Sequence, residues 1–190
     1  MKRAWVDIVG VLLIVAGAVG LYLAFNNTNA KSGNTNSTAQ SAAPNPFTTA
    51  RSACRIFTQS DAQKLLGASA KGGASNQETS SADLAFSTCT YNQSSGSGQM
   101  SAVKSASLSV RTPKTSDGIT SNKNQFGDAK PSGVQDVSGY GDAAYWDPQY
   151  GQLNILKHEN WYILSYGPIT PSSRSLAETK QLADLLSNRL

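Results

Sequence analysis

The sequence predicts an α+β domain in which an antiparallel sheet of about five or six strands packs against a short N-terminal helix and a C-terminal helix, preceded by one transmembrane helix. Three features lead to this prediction. Segments of alternating apolar and polar residues follow one another with short turns between them, capped helical patterns stand on either side of these segments, and an uncharged apolar stretch lies near the N-terminus. Strands joined by short turns pair antiparallel, and such a sheet buries one face against helices.

The membrane anchor is predicted at residues 1–25. Residues 8–25 carry no charged side chain and would span roughly 27 Å as an α-helix, close to the hydrocarbon thickness of a bilayer. Lys2 and Arg3 precede the stretch and an uncharged polar flank follows it, so the positive-inside rule places the N-terminus in the cytoplasm. We therefore expect a single-pass protein of the cell membrane with its domain outside. The alternative is a cleaved signal peptide, for which this apolar stretch is long.

Residues 26–49 are predicted to be a disordered linker, and residues 50–190 an extracytoplasmic domain. The linker is rich in Ser, Asn, Thr and Ala and has almost no large apolar side chain with which to form a core. The formal net charge of the chain is +4, and its basic residues are scattered singly. Nucleic-acid binding uses clustered basic residues, so we expect no nucleic-acid partner.

The two helices of the domain are predicted from their capping patterns. Thr58 resembles an N-cap with the acidic residue Asp61 at the third helical position, and Gly67 ends the apolar pattern that follows. Ser175 and Glu178 form a capping-box pattern ahead of leucines at helical spacing. Two short helices with apolar faces should therefore frame the sheet.

The strands are predicted from period-two alternation of apolar and polar side chains. The segments are residues 84–91, 106–110, 134–137, 143–146, 153–157 and 161–166. Residues 147–151 and 158–160 have the composition of hairpin turns, which makes the last three strands a meander. Residues 69–81 are too polar for a core and are predicted to be a surface loop.

Cys54 and Cys89 are the only two cysteines, and both follow the predicted anchor. An even number of cysteines in an exported domain predicts a structural disulfide. The alternatives are free thiols or a metal site. A zinc site needs more Cys or His ligands, whereas the chain has one histidine, His158, and no C-x-x-C motif. We therefore expect no metal and no cofactor.

No catalytic constellation is recognised. Residues 139–142 hold glycine where the nucleophilic serine of an esterase elbow would stand, and His158 falls in a predicted turn. Asp142 and Asp147 flank two aromatic residues, and paired carboxylates can carry out acid/base hydrolysis. Both are explained more simply as turn residues.

A cluster of aromatic residues at 140–166 supplies the candidate binding residues. Aromatic side chains with polar tips suit binding faces. Alternate members of a strand point to opposite faces, so some of the cluster must be core. The candidate ligand-facing residues are Tyr140, Asp142, Tyr145, Trp146 and Tyr150.

Several of these features occur together in one known group of domains. They are Cys54 ahead of a short helix, C-T-Y at residues 89–91, V-S-G-Y-G-D-A-A-Y-W at residues 137–146, and a final leucine-rich helix. In these features most of residues 53–190 resembles the small exported domains of unknown function found in actinobacterial lipoproteins. The resemblance implies a secreted or membrane-attached α+β domain with two cysteines, and it implies no particular activity. The chain departs from that group by having a predicted spanning helix in place of a lipidated cysteine.

The function predicted from the sequence is a non-enzymatic binding or interaction domain of a bacterial cell envelope. Its expected partners are the membrane, through the N-terminal helix, and an envelope protein or glycan. One alternative is an envelope hydrolase that uses Asp142 or Asp147. Another is a structural component of an envelope complex.

Overall fold

The computed structural model describes residues 50–72, 77–93 and 103–190, which fall within one structural unit. This part of the chain forms four α-helices and eight β-strands. In chain order the elements are α1 (Ala53–Ile56), α2 (Gln59–Leu66), β1 (Lys71–Gly72), β2 (Gln77–Ser80), β3 (Leu84–Asn92), β4 (Lys104–Pro113), α3 (Ser116–Gly127), β5 (Gln135–Asp136), β6 (Ala143–Asp147), β7 (Gln152–Lys157), β8 (Asn160–Pro168), a 3-10 turn (Pro171–Ser173) and α4 (Leu176–Leu186).

The strands form a single antiparallel sheet in the order β1-β3-β4-β8-β7-β6-β5, with β2 also paired to β3. Strands β6, β7 and β8 are a meander of consecutive hairpins. Strand β4 pairs with β8 over eight residues from Lys104 to Arg111, although α3 and three strands separate the two in the chain. The longest strands, β3, β4 and β8, are therefore at or next to the centre of the sheet.

The main core lies between one face of the sheet and helices α1, α2 and α4. Leu108 of β4 stands opposite Leu164 of β8, and Ile155 of β7 stands opposite Tyr162, all with no measurable exposure. Helix α4 covers β7 and β8 with buried residues such as Leu182, while α1 and α2 lie over β3 and β4. Full burial of a side chain of this size stabilises the fold by about 1.5–3 kcal/mol, so apolar packing holds these helices on this face.

Helix α3 lies on the opposite face of the sheet. It contacts Trp161, whose neighbours in β8 are buried core positions. Successive residues of a strand point to opposite faces, so Trp161 and the helix lie on the face away from the main core. The ring of Phe126 in α3 is 5.7 Å from the Trp161 ring and 4.9 Å from the Tyr145 ring, measured between centroids. A Cβ atom at Gly118 would come within 2.1 Å of the Asp83 carbonyl oxygen, so only glycine fits where the helix begins. Helix α3 thus covers one end of the second face.

The predicted fold class is wrong in its elements. The described sheet has eight strands, where five or six were expected. The described part of the chain has four α-helices, where two were expected. Strands β1 and β2 occur within residues 69–81, where a loop was predicted, because their backbones pair with β3 although their side chains lack an alternating pattern. Helix α3 was not predicted at all, since its sequence has no apolar stripe.

No helix in the described ranges is long and apolar enough to cross a membrane. The predicted transmembrane helix at residues 8–25 and the predicted linker at residues 26–49 lie outside the described residues. The correction to the fold class therefore concerns the described part of the chain, which is an eight-stranded antiparallel sheet with helices on both faces.

Candidate functional site

A groove of about 490 Å³ lies between the first described segment of the chain and its last three residues. Three of its lining residues are arginines, and none of the lining side chains is acidic. We call it the arginine groove. Its lining consists of Ala50, Arg51, Ser52, Arg55, Ile56, Asn188, Arg189 and Leu190.

Helix α1 forms one wall of the arginine groove and is fixed to the sheet by a disulfide. The predicted bond between Cys54 and Cys89 is confirmed, and it joins α1 to β3 with the two Cα atoms 5.0 Å apart. Next to it, the Ala53 backbone N–H donates to the Ser87 hydroxyl at 2.9 Å. A helix of one turn is unstable alone, so these tertiary links hold the wall in place.

The Arg51 side chain lines the groove and is held by two acceptors. It donates one guanidinium N–H to the Tyr162 hydroxyl and another to the Arg189 carbonyl oxygen, the latter at 2.6 Å. Burial raises the pKa of Tyr162, and the neighbouring Arg51 partly offsets that rise, so the hydroxyl is protonated at neutral pH. A guanidinium has five N–H donors. Arg51 thus keeps unused donors, and it has no carboxylate partner in the described part of the chain.

Arg189 is also fixed, but its charge is balanced. Its Nη1 atom lies 2.7 Å from Oδ2 of Asp61, and it also donates to the carbonyl oxygens of Ile56 at 2.8 Å and Leu185 at 3.2 Å. The hydrogen bond between Arg189 and Asp61 holds the pKa of Asp61 well below its usual value and raises the pKa of Arg189. Asp61 also accepts the backbone N–H of Thr58 in a capping box. Arg189 therefore joins α1, α2 and the end of α4.

Arg55 differs from the other two arginines because its side chain is exposed and has no hydrogen-bond or ion-pair partner among the described residues. The arginine groove therefore has one neutralised guanidinium, one fixed guanidinium with an unbalanced charge, and one free guanidinium. Planar guanidinium groups recognise carboxylates and phosphates through paired hydrogen bonds. The groove is chemically suited to an anionic group.

The sequence alone does not predict this groove, because its basic residues are scattered singly along the chain. One signal was available: Arg51 and Arg55 stand on either side of Cys54 and are only four residues apart. Arg189 is 138 residues from Arg51 in the chain, and only the tertiary fold brings them together.

The aromatic residues predicted to face a ligand are divided between two faces of the sheet. Trp146 is 5% exposed and belongs to the main core. Tyr145 is 3% exposed and packs against Phe126 on the opposite face. Burial, with a smaller contribution from the charge of Asp147, raises the pKa of Tyr145 to about 12. These two adjacent residues point to opposite faces and so cannot line one surface together.

The other three predicted residues lie at separate positions. Tyr140 is half-buried and donates its hydroxyl to Asp184 of α4 at 2.7 Å. Burial, followed by this bond, raises the pKa of Tyr140 to about 12. Tyr150 is 52% exposed in the turn between β6 and β7. Asp142 is exposed, and its carboxylate accepts the backbone N–H of His158 at 2.9 Å.

The two carboxylates of the predicted hydrolase act as acceptors for backbone groups in turns. Asp147 is 5% exposed and accepts the N–H groups of Gln149 and Tyr150, at 2.9 and 3.2 Å. Asp142 accepts from His158, as described above. Within the described ranges, no group of three or more His, Cys, Asp or Glu side chains could hold a metal ion.

Comparison with protein-family models, with curated proteins and with solved structures finds no match for this chain. The resemblance to the exported domains of actinobacterial lipoproteins therefore stays a prediction from the sequence.

Proposed function

We propose that this chain is an extracytoplasmic binding domain of a bacterial cell envelope and that its arginine groove receives an anionic group, a carboxylate or a phosphate. The observation that supports the proposal is that two of the three arginines in the groove have no ion-pair partner among the described residues. Arg51 is fixed with its charge unbalanced, and Arg55 is free beside it. A fixed guanidinium loses little conformational entropy when a ligand binds, so the groove is partly preorganised.

The location outside the cytoplasm is supported by the disulfide. A lasting bond between Cys54 and Cys89 requires an oxidising compartment in most organisms. Attachment to the cell membrane through residues 1–25 is part of the proposal and rests on the sequence alone.

The proposal is tested by titrating the full-length protein with inorganic phosphate and with citrate in a calorimeter. Arg55→Ala should weaken the binding of both anions by about tenfold or more, because hydrogen bonds to charged groups contribute about 1.5–3 kcal/mol. Arg55 is exposed, so this variant should keep the melting temperature of the wild-type protein.

The matched control is Lys123→Ala. It removes one positive charge from α3, on the opposite face of the sheet from α1. Unchanged anion affinity in the Lys123 variant is expected. An equal loss in both variants would mean that only the overall charge matters, and the groove would not be the site.

A further inference from the structure

We infer that helix α3 is a hinged cover on the second face of the sheet, the face away from the main core. The cover opens by local unfolding from its C-terminal end, while the rest of the described fold stays closed, and the opening uncovers the rings of Tyr145 and Trp161. This inference is independent of the proposed function, because α3 and α1 lie on opposite faces of the sheet.

The N-terminal end of α3 is fixed to the residue that precedes β3. The Thr115 hydroxyl donates to the Asp83 carboxylate at 2.7 Å and accepts the backbone N–H of Gly118 at 3.1 Å. The Lys114 backbone N–H donates to the Asp83 carbonyl oxygen at 2.7 Å. Gly118 is buried against that carbonyl oxygen, where a side chain has no room. This end of the helix therefore supplies the hinge.

The C-terminal end of α3 buries one large side chain. Phe126 is 6% exposed, and its ring packs against the rings of Tyr145 and Trp161. Residues 123–125 and 127–129, on either side of it in the chain, are all exposed. The hydrophobic effect scales with the apolar area removed from water, so this end of the helix is held mainly through one ring.

Further links between this end of the cover and the sheet join side chains at the surface. They are Arg111–Gln125 at 2.7 Å, Lys123–Glu159 at 3.2 Å and Lys130–Asp136. Exposed polar pairs contribute little to stability, because water and salt compete for both partners. Helix α4, by contrast, has three apolar side chains that are fully buried in the main core: Leu182, Ala183 and Leu186. Apolar packing therefore holds α3 less firmly than it holds α4.

The middle of α3 carries a buried polar group that is only partly satisfied. Asn122 is fully buried, and its amide nitrogen donates to the carbonyl oxygens of Arg111 and Glu159. Its amide oxygen is buried without a hydrogen-bond partner among the described residues. Water can reach this oxygen once the helix opens, so the unpaired acceptor favours the open state.

The composition of α3 explains why opening is accompanied by unfolding of the helix. Its twelve residues include glycine, asparagine and threonine, which are weak helix formers. A helix of this length is at best marginally stable in water without tertiary contacts. Once Phe126 leaves the sheet, the helix therefore loses its backbone hydrogen bonds, and its amide protons can exchange with solvent.

Hydrogen exchange on the full-length protein tests this inference. The backbone amides of α3 should exchange roughly a hundredfold or more faster than those of β4 and β8, which lie at or next to the centre of the sheet. Low concentrations of denaturant should speed exchange in β4 and β8 much more than in α3. Local opening exposes less surface than global unfolding does, and sensitivity to denaturant follows the surface exposed.

Two variants separate local from global opening. Ile155→Val removes one methyl group from the main core and should speed exchange in β4 and β8 roughly threefold to tenfold, while exchange in α3 stays the same. Phe126→Ala should bring exchange in α3 close to that of an unstructured chain and leave β4 and β8 protected. In this second variant, hydroxyl-radical labelling of Tyr145 and Trp161 should rise several-fold.

Trp146 is the internal control for the labelling. It is adjacent to Tyr145 in β6 but lies in the main core on the other face, so its labelling should not change in Phe126→Ala.

The inference is wrong if α3 and the central strands exchange at the same rate, or if Ile155→Val speeds exchange in α3 as much as in β4 and β8. Either result would mean that α3 opens only when the whole fold unfolds. Loss of protection in β4 and β8 in Phe126→Ala would also overturn it. So would labelling of Tyr145 and Trp161 that stays at the wild-type level. All of these measurements are made without an added anion, so their outcome leaves the proposed function untouched.

Discussion

Asp61 and Arg189, 128 residues apart in the chain, form an ion pair whose Oδ2 and Nη1 atoms are 2.7 Å apart and whose carboxylate side chain is only 6% exposed. Through this pair the first turn of α2 is joined to the segment that follows α4. Because Arg189 also donates to the carbonyl oxygen of Ile56 in α1, one guanidinium sets the relative position of three elements around the arginine groove.

Replacement of Asp61 by Asn should change how stability depends on pH. The Arg189 hydrogen bond holds the pKa of folded Asp61 well below its usual value. Below about pH 4 the unfolded chain therefore takes up a proton that the folded chain does not, and the free energy of unfolding falls as the pH drops. Asp61→Asn should lose about 1–3 kcal/mol at neutral pH and show a shallower fall in acid.

Chemical denaturation at a series of pH values between 7 and 2 measures this effect. Glu178, whose pKa is also lowered by its hydrogen bond to Lys104, should leave a residual slope in the variant. Asp128→Asn, which alters an exposed carboxylate, is the control and should follow the wild-type protein. Identical slopes for wild type and Asp61→Asn would show that the ion pair does not govern acid stability.

Replacement of Tyr162 by Phe should make the Arg51 side chain less ordered without leaving a cavity in the core. The ring remains, but the guanidinium loses the hydroxyl that accepts one of its hydrogen bonds. We expect a loss of about 1–2 kcal/mol in the free energy of unfolding and a several-fold weaker affinity for phosphate, because Arg51 is then less well ordered.

The control for this prediction is Tyr166→Phe. It removes the tyrosine hydroxyl that donates to the Leu65 carbonyl oxygen, at a residue that does not line the groove. This variant should lose a similar amount of stability and keep the phosphate affinity. If Tyr162→Phe binds phosphate as tightly as the wild-type protein, fixing Arg51 contributes nothing to the groove.

Loss of the disulfide should affect both stability and binding. The bond closes a loop of 35 residues, so replacing both Cys54 and Cys89 by Ala should lower the free energy of unfolding by about 3–4 kcal/mol in the chain-entropy model. Phosphate affinity should fall as well, since α1 is then held by fewer links. Reductant should reproduce both losses in the wild-type protein and have no effect on the double variant. Equal phosphate affinity in the oxidised and reduced proteins would mean that the wall of the groove does not need the bond.

The elements that the sequence predicts well are those with strong local signals. Strands β6, β7 and β8 follow from alternation with short turns between them. Helix α4 begins where the capping box indicates, with the Ser175 hydroxyl accepting the Glu178 backbone N–H at 3.2 Å. Period and capping are properties of neighbouring residues, so they are visible without the fold.

The elements that the sequence does not predict depend on distant partners. Helix α3 contains glycine, asparagine and threonine, which are weak helix formers. It is held by tertiary contacts, among them the Asn122 amide donating to the carbonyl oxygens of Arg111 and Glu159 at 3.2 and 3.0 Å. The arginine groove has the same origin, because two of its walls come from opposite ends of the described chain. Contacts of this kind leave no periodic trace in the sequence.

The turn between β7 and β8 gives a last prediction, because its two residues have backbone angles that suit glycine or asparagine. His158 and Glu159 have φ values of 47° and 67°. For residues with a Cβ atom this left-handed region costs about 1–2 kcal/mol each. Asp142, by accepting the His158 backbone N–H, and Asn122, by donating to the Glu159 carbonyl oxygen, offset that cost.

The double variant H158N/E159G should therefore be more stable than the wild-type protein by about 1 kcal/mol, because Asn-Gly is the preferred pair for such a two-residue turn. The loss of the exposed Lys123–Glu159 ion pair offsets only part of this gain. Asp142→Ala should instead lose about 1 kcal/mol, since the His158 N–H loses its acceptor. Denaturant titration measures both changes. A double variant that is less stable than the wild-type protein would show that the His158 and Glu159 side chains themselves hold the hairpin.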